Sequence, residues 1–273
     1  MLASARMPRR PALDHLIERG RIAARRVIPP EGRRRAQARL RPVWPPLGWA
    51  RFGALRRLAP VSREFGFDRG LPVDRYYVQD FLRRHAGSDQ YGAGDIRGRV
   101  IEVGDDIYTR RFGVSVEKLD VLHVDDTNPR ATIVDDLTRG AQIPSDAFDC
   151  IICAQTLHVI YEVRQAISTL HRALAPGGVL LVTFPGITQA CRPDRDLWGD
   201  YWRFTGLSAR RLFEEVFPPE GVRVEAYGNV LTATAFLQGL ASEELKKEEL
   251  EARDPDYEVL IAVRAQKPPA STS

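Results

Sequence analysis

Between residues 99 and 137, three short aliphatic runs follow one another, and each one ends on acids. Arg99-Val100-Ile101-Glu102-Val103 leads into Gly104-Asp105-Asp106. Asp120-Val121-Leu122-His123-Val124 ends at Asp125-Asp126, and Ala131-Thr132-Ile133-Val134 ends at Asp135-Asp136-Leu137. Their β-branched content predicts strands, and Gly104 supplies a permissive backbone for a turn. A fourth run, Phe148-Asp149-Cys150-Ile151-Ile152-Cys153-Ala154, is almost continuously apolar, as a parallel strand covered on both faces should be. Val163, Ile167, Leu170 and Leu174 then mark one face of a helix over 159–174, which Pro176-Gly177-Gly178 stops before a fifth strand over 179–184. Strands alternating with helices at this spacing specify a doubly wound, mostly parallel α/β sheet. In such sheets ligands bind beyond the carboxyl ends of the strands, which places the acids in the crevice.

The rest of the chain fits around that unit. Val73, Tyr76, Tyr77, Asp80 and Phe81 fall at helical spacing and predict a helix over 73–85 beside the cleft. Beyond the fifth strand, an irregular stretch runs to Gly206. A helix over 208–217, a strand over 222–227, a polar helical piece over 242–253 and a last strand over 257–264 follow it. Charge separates this body from what precedes it. Residues 1–70 hold 17 arginines and no lysine against 5 acids, a net charge of +12, while the remainder carries −8. We read 1–70 as a basic Arg/Pro-rich arm, solvated or packed on the body, with helical pieces over 12–27 and 33–40. Residues 71–267 form the domain and 268–273 a disordered tail. The arm has no nucleic-acid motif with interleaved aromatics; its charge suits peripheral contact with an anionic membrane or an acidic partner.

Cys150 and Cys153 form a CxxC, but strand alternation sends them to opposite faces, and no second CxxC or His pair completes a metal site. Core thiols in a reducing, cytoplasmic compartment are the expectation. No apolar run approaches the length of a membrane span.

The crevice chemistry narrows the ligand. An acid about twenty residues after the turn glycine suits a ribose, whose hydroxyls donate to a carboxylate; Asp125 or Asp126 stands there. Asp136 can accept from an adenine amino group while Leu137 packs on the ring. A nicotinamide or flavin dinucleotide needs G-x-G-x-x-G, and the turn offers one glycine followed by two acids that would repel a pyrophosphate. A sulfonium and an ammonium are better matched by acids, which favours S-adenosylmethionine.

From about 99 to 267 the sequence resembles the class I S-adenosylmethionine-dependent methyltransferases of the type 11 kind, with a degenerate glycine motif. The resemblance rests on VIEVGD, LHVDD, IVDDL and, most specifically, FDCIICAQTLHVI followed by LHRALAPGGVLLVTFP. It implies a Rossmann-like sheet of seven strands with one antiparallel, and methyl transfer yielding adenosylhomocysteine. It also places Glu102, with Gly104 and Asp105, near the cofactor's methionine end, and His158 facing the donor methyl. At that position an imidazole serves as general base toward a hydroxyl. Gln155, in the same loop, touches the adenosine or lines the cleft. Tyr201, Trp202 and Arg203 belong to WGDYWRFT, which resembles a segment of methyltransferases encoded near sugar and polysaccharide genes, and would floor an acceptor pocket. The expected activity is O-methylation of a small-molecule or glycan-type acceptor. Because side chains at 105 and 106 crowd the usual glycine positions, a binding or scaffold protein that kept the fold without the chemistry stays open.

Overall fold

In the computed structural model, the described residues are 45–46, 48–87 and 94–270. The helical pieces expected over 12–27 and 33–40 lie outside them, as do 271–273 of the tail. The chain divides into two compact units, 1–56 and 57–273. The described part of the first holds one 3-10 turn, Gly53–Leu55. The second begins fourteen residues earlier than the charge pattern suggests. Val61 and Ser62 donate their N–H groups to the carbonyl of Gln238 at 2.8 and 3.1 Å, and Arg69 Nε donates to Glu244 at 2.9 Å. Residues 57–70 therefore fold with the body.

The body is a seven-stranded sheet. Its strands are β1 (Gly98–Val103), β2 (Val116–His123), β3 (Ile133–Val134), β4 (Phe148–Ala154), β5 (Leu174–Pro185), β6 (Val222–Tyr227) and β7 (Leu260–Gln266), in the spatial order β3-β2-β1-β4-β5-β7-β6. β1 pairs in parallel with β2 on one side and β4 on the other; β7 alone runs antiparallel to both its neighbours. The order therefore reverses at β1, and the crevice between β1 and β4 is the switch point.

Alternation along the strands divides the core into two layers. Ile101, Ile151, Leu180 and Val263 face α3 (Val163–Ala173) and α5 (Gly206–Phe213). Val100, Ile152, Leu181 and Ala262 face α1 (Val73–His85) and α6 (Val230–Leu237). Cys150 and Cys153 fall in different layers, both fully buried and free, and burial pushes the Cys153 thiol up to about 12. The remaining helices are α2 (Ile107–Phe112), α4 (Arg192–Leu197) and α7 (Lys247–Glu251). The polar piece expected over 242–253 divides into a 3-10 turn, Ser242–Glu244, and α7. None of the helices among the described residues is long and apolar enough to cross a membrane.

Two carboxylates anchor the two ends of β1, Glu102 on the crevice side and Asp95 on the opposite side. Glu102, 2% exposed, accepts the N–H groups of Tyr108 and Thr109 at 3.0 and 2.7 Å, so it fastens the start of α2 to β1. Desolvation raises its carboxyl, against the pull of those same N–H groups. Asp95 accepts from Arg264 Nε and Nη2, both at 2.8 Å, and lies 2.7 Å from His85 Nδ1, which ties β7 and the end of α1 to the strand that follows. Desolvation works against ionisation of Asp95, yet the His85 and Arg264 bonds hold its carboxyl well below the usual range.

Glu102→Ala leaves two helix N–H groups without a partner and should lower stability by about 1–3 kcal/mol in urea titrations. Asp95→Ala strands the Arg264 charge and should cost about 3 kcal/mol. A depressed folded-state carboxyl confers stability above the unfolded range near pH ~4 and loses it as the pH falls. Urea midpoints of the wild type should therefore drop with acidification below that point, and the drop should be shallower in Asp95→Ala.

Candidate active site

β1 ends in Gly104 at φ +97°, a conformation that favours glycine, and a Cβ there would meet nothing within 4 Å. That open side faces a cavity of about 400 Å³ at the carboxyl ends of β1, β2 and β4. Val103, Gly104, Leu122, His123 and Val124 form one wall; Asp135, Asp136, Leu137 and Thr138 form the second. Gln155, Val159, Ile160, Tyr161 and Glu162 form the third, and Asp194, Trp198 and Tyr201 cover it. Four carboxyl side chains line this space, and no lysine or arginine does. Leu137 is 5% exposed, and Asp136 Oδ1 accepts from Thr138 N at 2.7 Å.

Several acids assigned to this cavity from the sequence are committed elsewhere. Glu102 accepts the N–H groups of Tyr108 and Thr109 and is not among the residues lining the cavity. Asp105 takes Arg130 Nη1 at 2.8 Å and the Asp106 N–H; despite desolvation, these bonds hold its carboxyl low. Asp106, 3% exposed, takes Arg130 at 3.1 Å and also Arg110. Neither lines the cavity. Asn128 Nδ2 donates to the Gly104 carbonyl at 2.7 Å, which holds the loop from the same side as Arg130. Asp125 closes its own turn instead of turning inward: Thr127 donates to its Oδ1 by side chain and backbone, and His123 Nδ1 is 3.0 Å away. Those Thr127 bonds lower its carboxyl. Asp126 is exposed and outside the cavity.

A second cavity of about 240 Å³ adjoins the first, and Gln155 and Asp194 line both. Its other walls include Asp74 and Arg75 of α1, Phe65, Phe67, Phe236, Cys191, Arg203 and His158. Gln155 sits at φ +50° with its N–H donated to Thr183 O at 3.0 Å, and its Nε2 is buried without a hydrogen-bond partner among the described residues. His158, 7% exposed in the 3-10 turn Leu157–Val159, is in a similar position. Its Nδ1 is buried and unpartnered, while Nε2 lies 3.9 Å from Asp194 Oδ2. The imidazole beside it is the main cause holding the Asp194 carboxyl low, ahead of the opposing desolvation.

The expected acceptor trio is dispersed. Tyr201 lines the larger cavity, half exposed and edge-on to Tyr161. Trp202 packs against the core and donates Nε1 to Ile160 O at 3.1 Å. Arg203 reaches the smaller cavity while held by Asp200 and by the carbonyls of Trp202 and Gln189. Asp194, Trp198, Asp74 and Arg75 were missed. The first two stand in the acid-rich stretch read as irregular, where alternation and helical period carry no signal, and the other two on a helix read for its apolar face.

Residues 98–182 match the family described as a methyltransferase domain. A protein of Mycolicibacterium smegmatis named "Probable S-adenosylmethionine-dependent methyltransferase" is 29% identical over 164 residues, covering 57% of this chain. The match spans 63% of that relative's length. Among solved structures, the complex of the Haloferax volcanii Trm112 methyltransferase activator with a methyltransferase superposes at TM-score 0.46 and 13% identity, covering 71% of this chain and 90% of that one. The N-methyltransferase NodS of Bradyrhizobium japonicum, bound to S-adenosylhomocysteine, superposes at 0.44 and 15%, covering 77% and 95%. Residues 98–182 thus match a methyltransferase domain, within a Rossmann-like seven-stranded sheet with a single reversed strand.

Proposed function

We propose that this protein methylates a hydroxyl of a small-molecule or glycan-type acceptor, with S-adenosylmethionine in the larger cavity and the acceptor in the smaller. The observation that carries this reading is the contrast between two adjoining spaces. One is lined by four carboxyl side chains and no lysine or arginine; the other holds the unpartnered imidazole nitrogen of His158, and the unpartnered donor of Gln155 stands between the two. A volume of about 400 Å³ falls in the range of small-ligand sites. Its acids suit a ligand carrying a sulfonium and an ammonium, and would repel a pyrophosphate. Leu137 offers an apolar wall for an adenine, Asp136 an acceptor for its amino group, and Gly104 a close backbone approach. When bound, the cofactor supplies an already activated methyl group, so the chain's own task is largely to position the acceptor and hold its proton.

The smaller cavity indicates the acceptor's chemistry. Gln155 Nε2 needs an acceptor atom, and His158 Nδ1 in the neutral ring with Nε2 protonated needs a donor. A hydroxyl satisfies both at one oxygen. A protonated amine would meet the Gln155 donor unfavourably. Phe65, Phe67 and Phe236 add apolar faces against which a sugar or phenolic ring can lie.

Calorimetry with S-adenosylmethionine should show binding, and Asp136→Ala should weaken it about tenfold to a hundredfold, the loss expected for a bond to a charged group. Asp125→Ala should weaken it less. A folded protein that binds no cofactor at millimolar concentration overturns the proposal. With labelled methyl donor and pools of glycans and small metabolites, His158→Ala should lower transfer about a hundredfold, with cofactor affinity unchanged. Undiminished transfer would remove His158 as the base.

A further inference from the structure

Asp194 belongs to both cavities, and its place is fixed from several directions. Its carbonyl accepts the N–H groups of Trp198 and Gly199 at 2.7 and 2.8 Å, which closes α4. The same stretch is stitched to the 157–159 turn, because Tyr201 and Trp202 donate to the His158 carbonyl at 3.0 and 3.1 Å. Cys191 N donates to Asp200 at 3.0 Å, and Arg203 holds Asp200 in turn. Main-chain bonds thus set the carboxylate and the imidazole opposite each other before any ligand arrives.

We infer that Asp194 is the positioning residue of a His158–Asp194 pair, keeping the Nε2 proton directed at its carboxylate and leaving Nδ1 free to take the acceptor's proton. This rests on the methyl-transfer reading above. At 3.9 Å the two groups form a charge contact rather than a hydrogen bond. Its strength grows when the ring becomes cationic. As the acceptor oxygen's lone pair bonds the methyl carbon and the carbon–sulfur pair returns to sulfur, the hydroxyl proton passes to His158 Nδ1. The sulfonium charge is thereby exchanged for an imidazolium charge beside Asp194. Asp200 also acts on His158 and Arg75 on Asp194, but each is held by a partner of its own. Asp74 is paired with Arg75 at 2.8 Å on the α1 side, Asp200 with Arg203 on the other, and the Cys191 thiol is pushed up to about 11, foremost by burial. Since Asp194 also lines the donor cavity, one carboxylate serves both the cation that enters and the cation that remains.

The test is a pH titration of the full chain labelled with 15N-histidine, with the His158 signals assigned by their loss in His158→Gln. In the wild type the neutral ring should carry its proton on Nε2. Asp194→Asn should mix the tautomers, while Asp194→Glu should restore most of the wild-type preference. A wild-type ring protonated on Nδ1 overturns the inference, whether or not the variants fold. So does an unchanged tautomer in a folded Asp194→Asn variant. Cofactor binding, measured on the same wild-type sample, judges the methyl-transfer reading separately: its absence sinks that reading and leaves the imidazole data intact.

Discussion

Reversal of strand order at β1 is the constraint on which everything else rests. A parallel strand flanked by β2 and β4 sends its following connection to one side of the sheet while its neighbour's connection goes to the other, so a crevice must open above it. The larger cavity is that crevice. Gly104 lines it because β1 ends there, and Leu122 to Val124 line it because β2 ends beside it in register, Val103 opposite Leu122. The smaller cavity forms where α1 and the stretch after β5 come over the end of β4.

Acids at the ends of strands have two competing uses, and the structure shows how they divide. The last peptide of a strand and the first turn of a helix present N–H groups that need acceptors. Glu102, Asp105, Asp125 and Asp135 each accept at least one local backbone N–H. Their charges organise the rim, and only some of them also face the ligand. Asp194, by contrast, arrives from a segment outside the strand pattern and turns its carboxylate toward an imidazole. Counting acids near a crevice therefore overstates how many face the ligand.

The same division explains what could be read from residues alone. β1, β4, α3 and β5 were legible because burial on both faces imposes long apolar runs and a clean helical period, as in Phe148–Ala154 and Val163–Ala173. The position of the cavity followed from strand order, and Gly104, Asp136, Leu137, Gln155 and His158 all line one of the two spaces. What escaped was direction. The turn at Asp125 is closed by a threonine two residues on, and the orientation of Asp105 depends on Arg130, twenty-five residues away. α6 escaped because Val230–Leu237 is apolar nearly all round, and its capping by Asn229 leaves no period to find. Asp194 escaped because its place beside His158 follows from the bonds of Tyr201 and Trp202 to the His158 carbonyl, which no local pattern encodes.

A glycine-rich loop takes its shape from what it lacks; the loop at Gly104 takes its shape from four charges. Asp105, Asp106, Arg110 and Arg130 form a closed group in which the most deeply buried member, Asp106, is balanced by both cations. Losing one arginine leaves a buried carboxylate undercompensated, and losing Asp106 leaves two cations competing for Asp105. Substituting any one of the four therefore unbalances the loop for the other three.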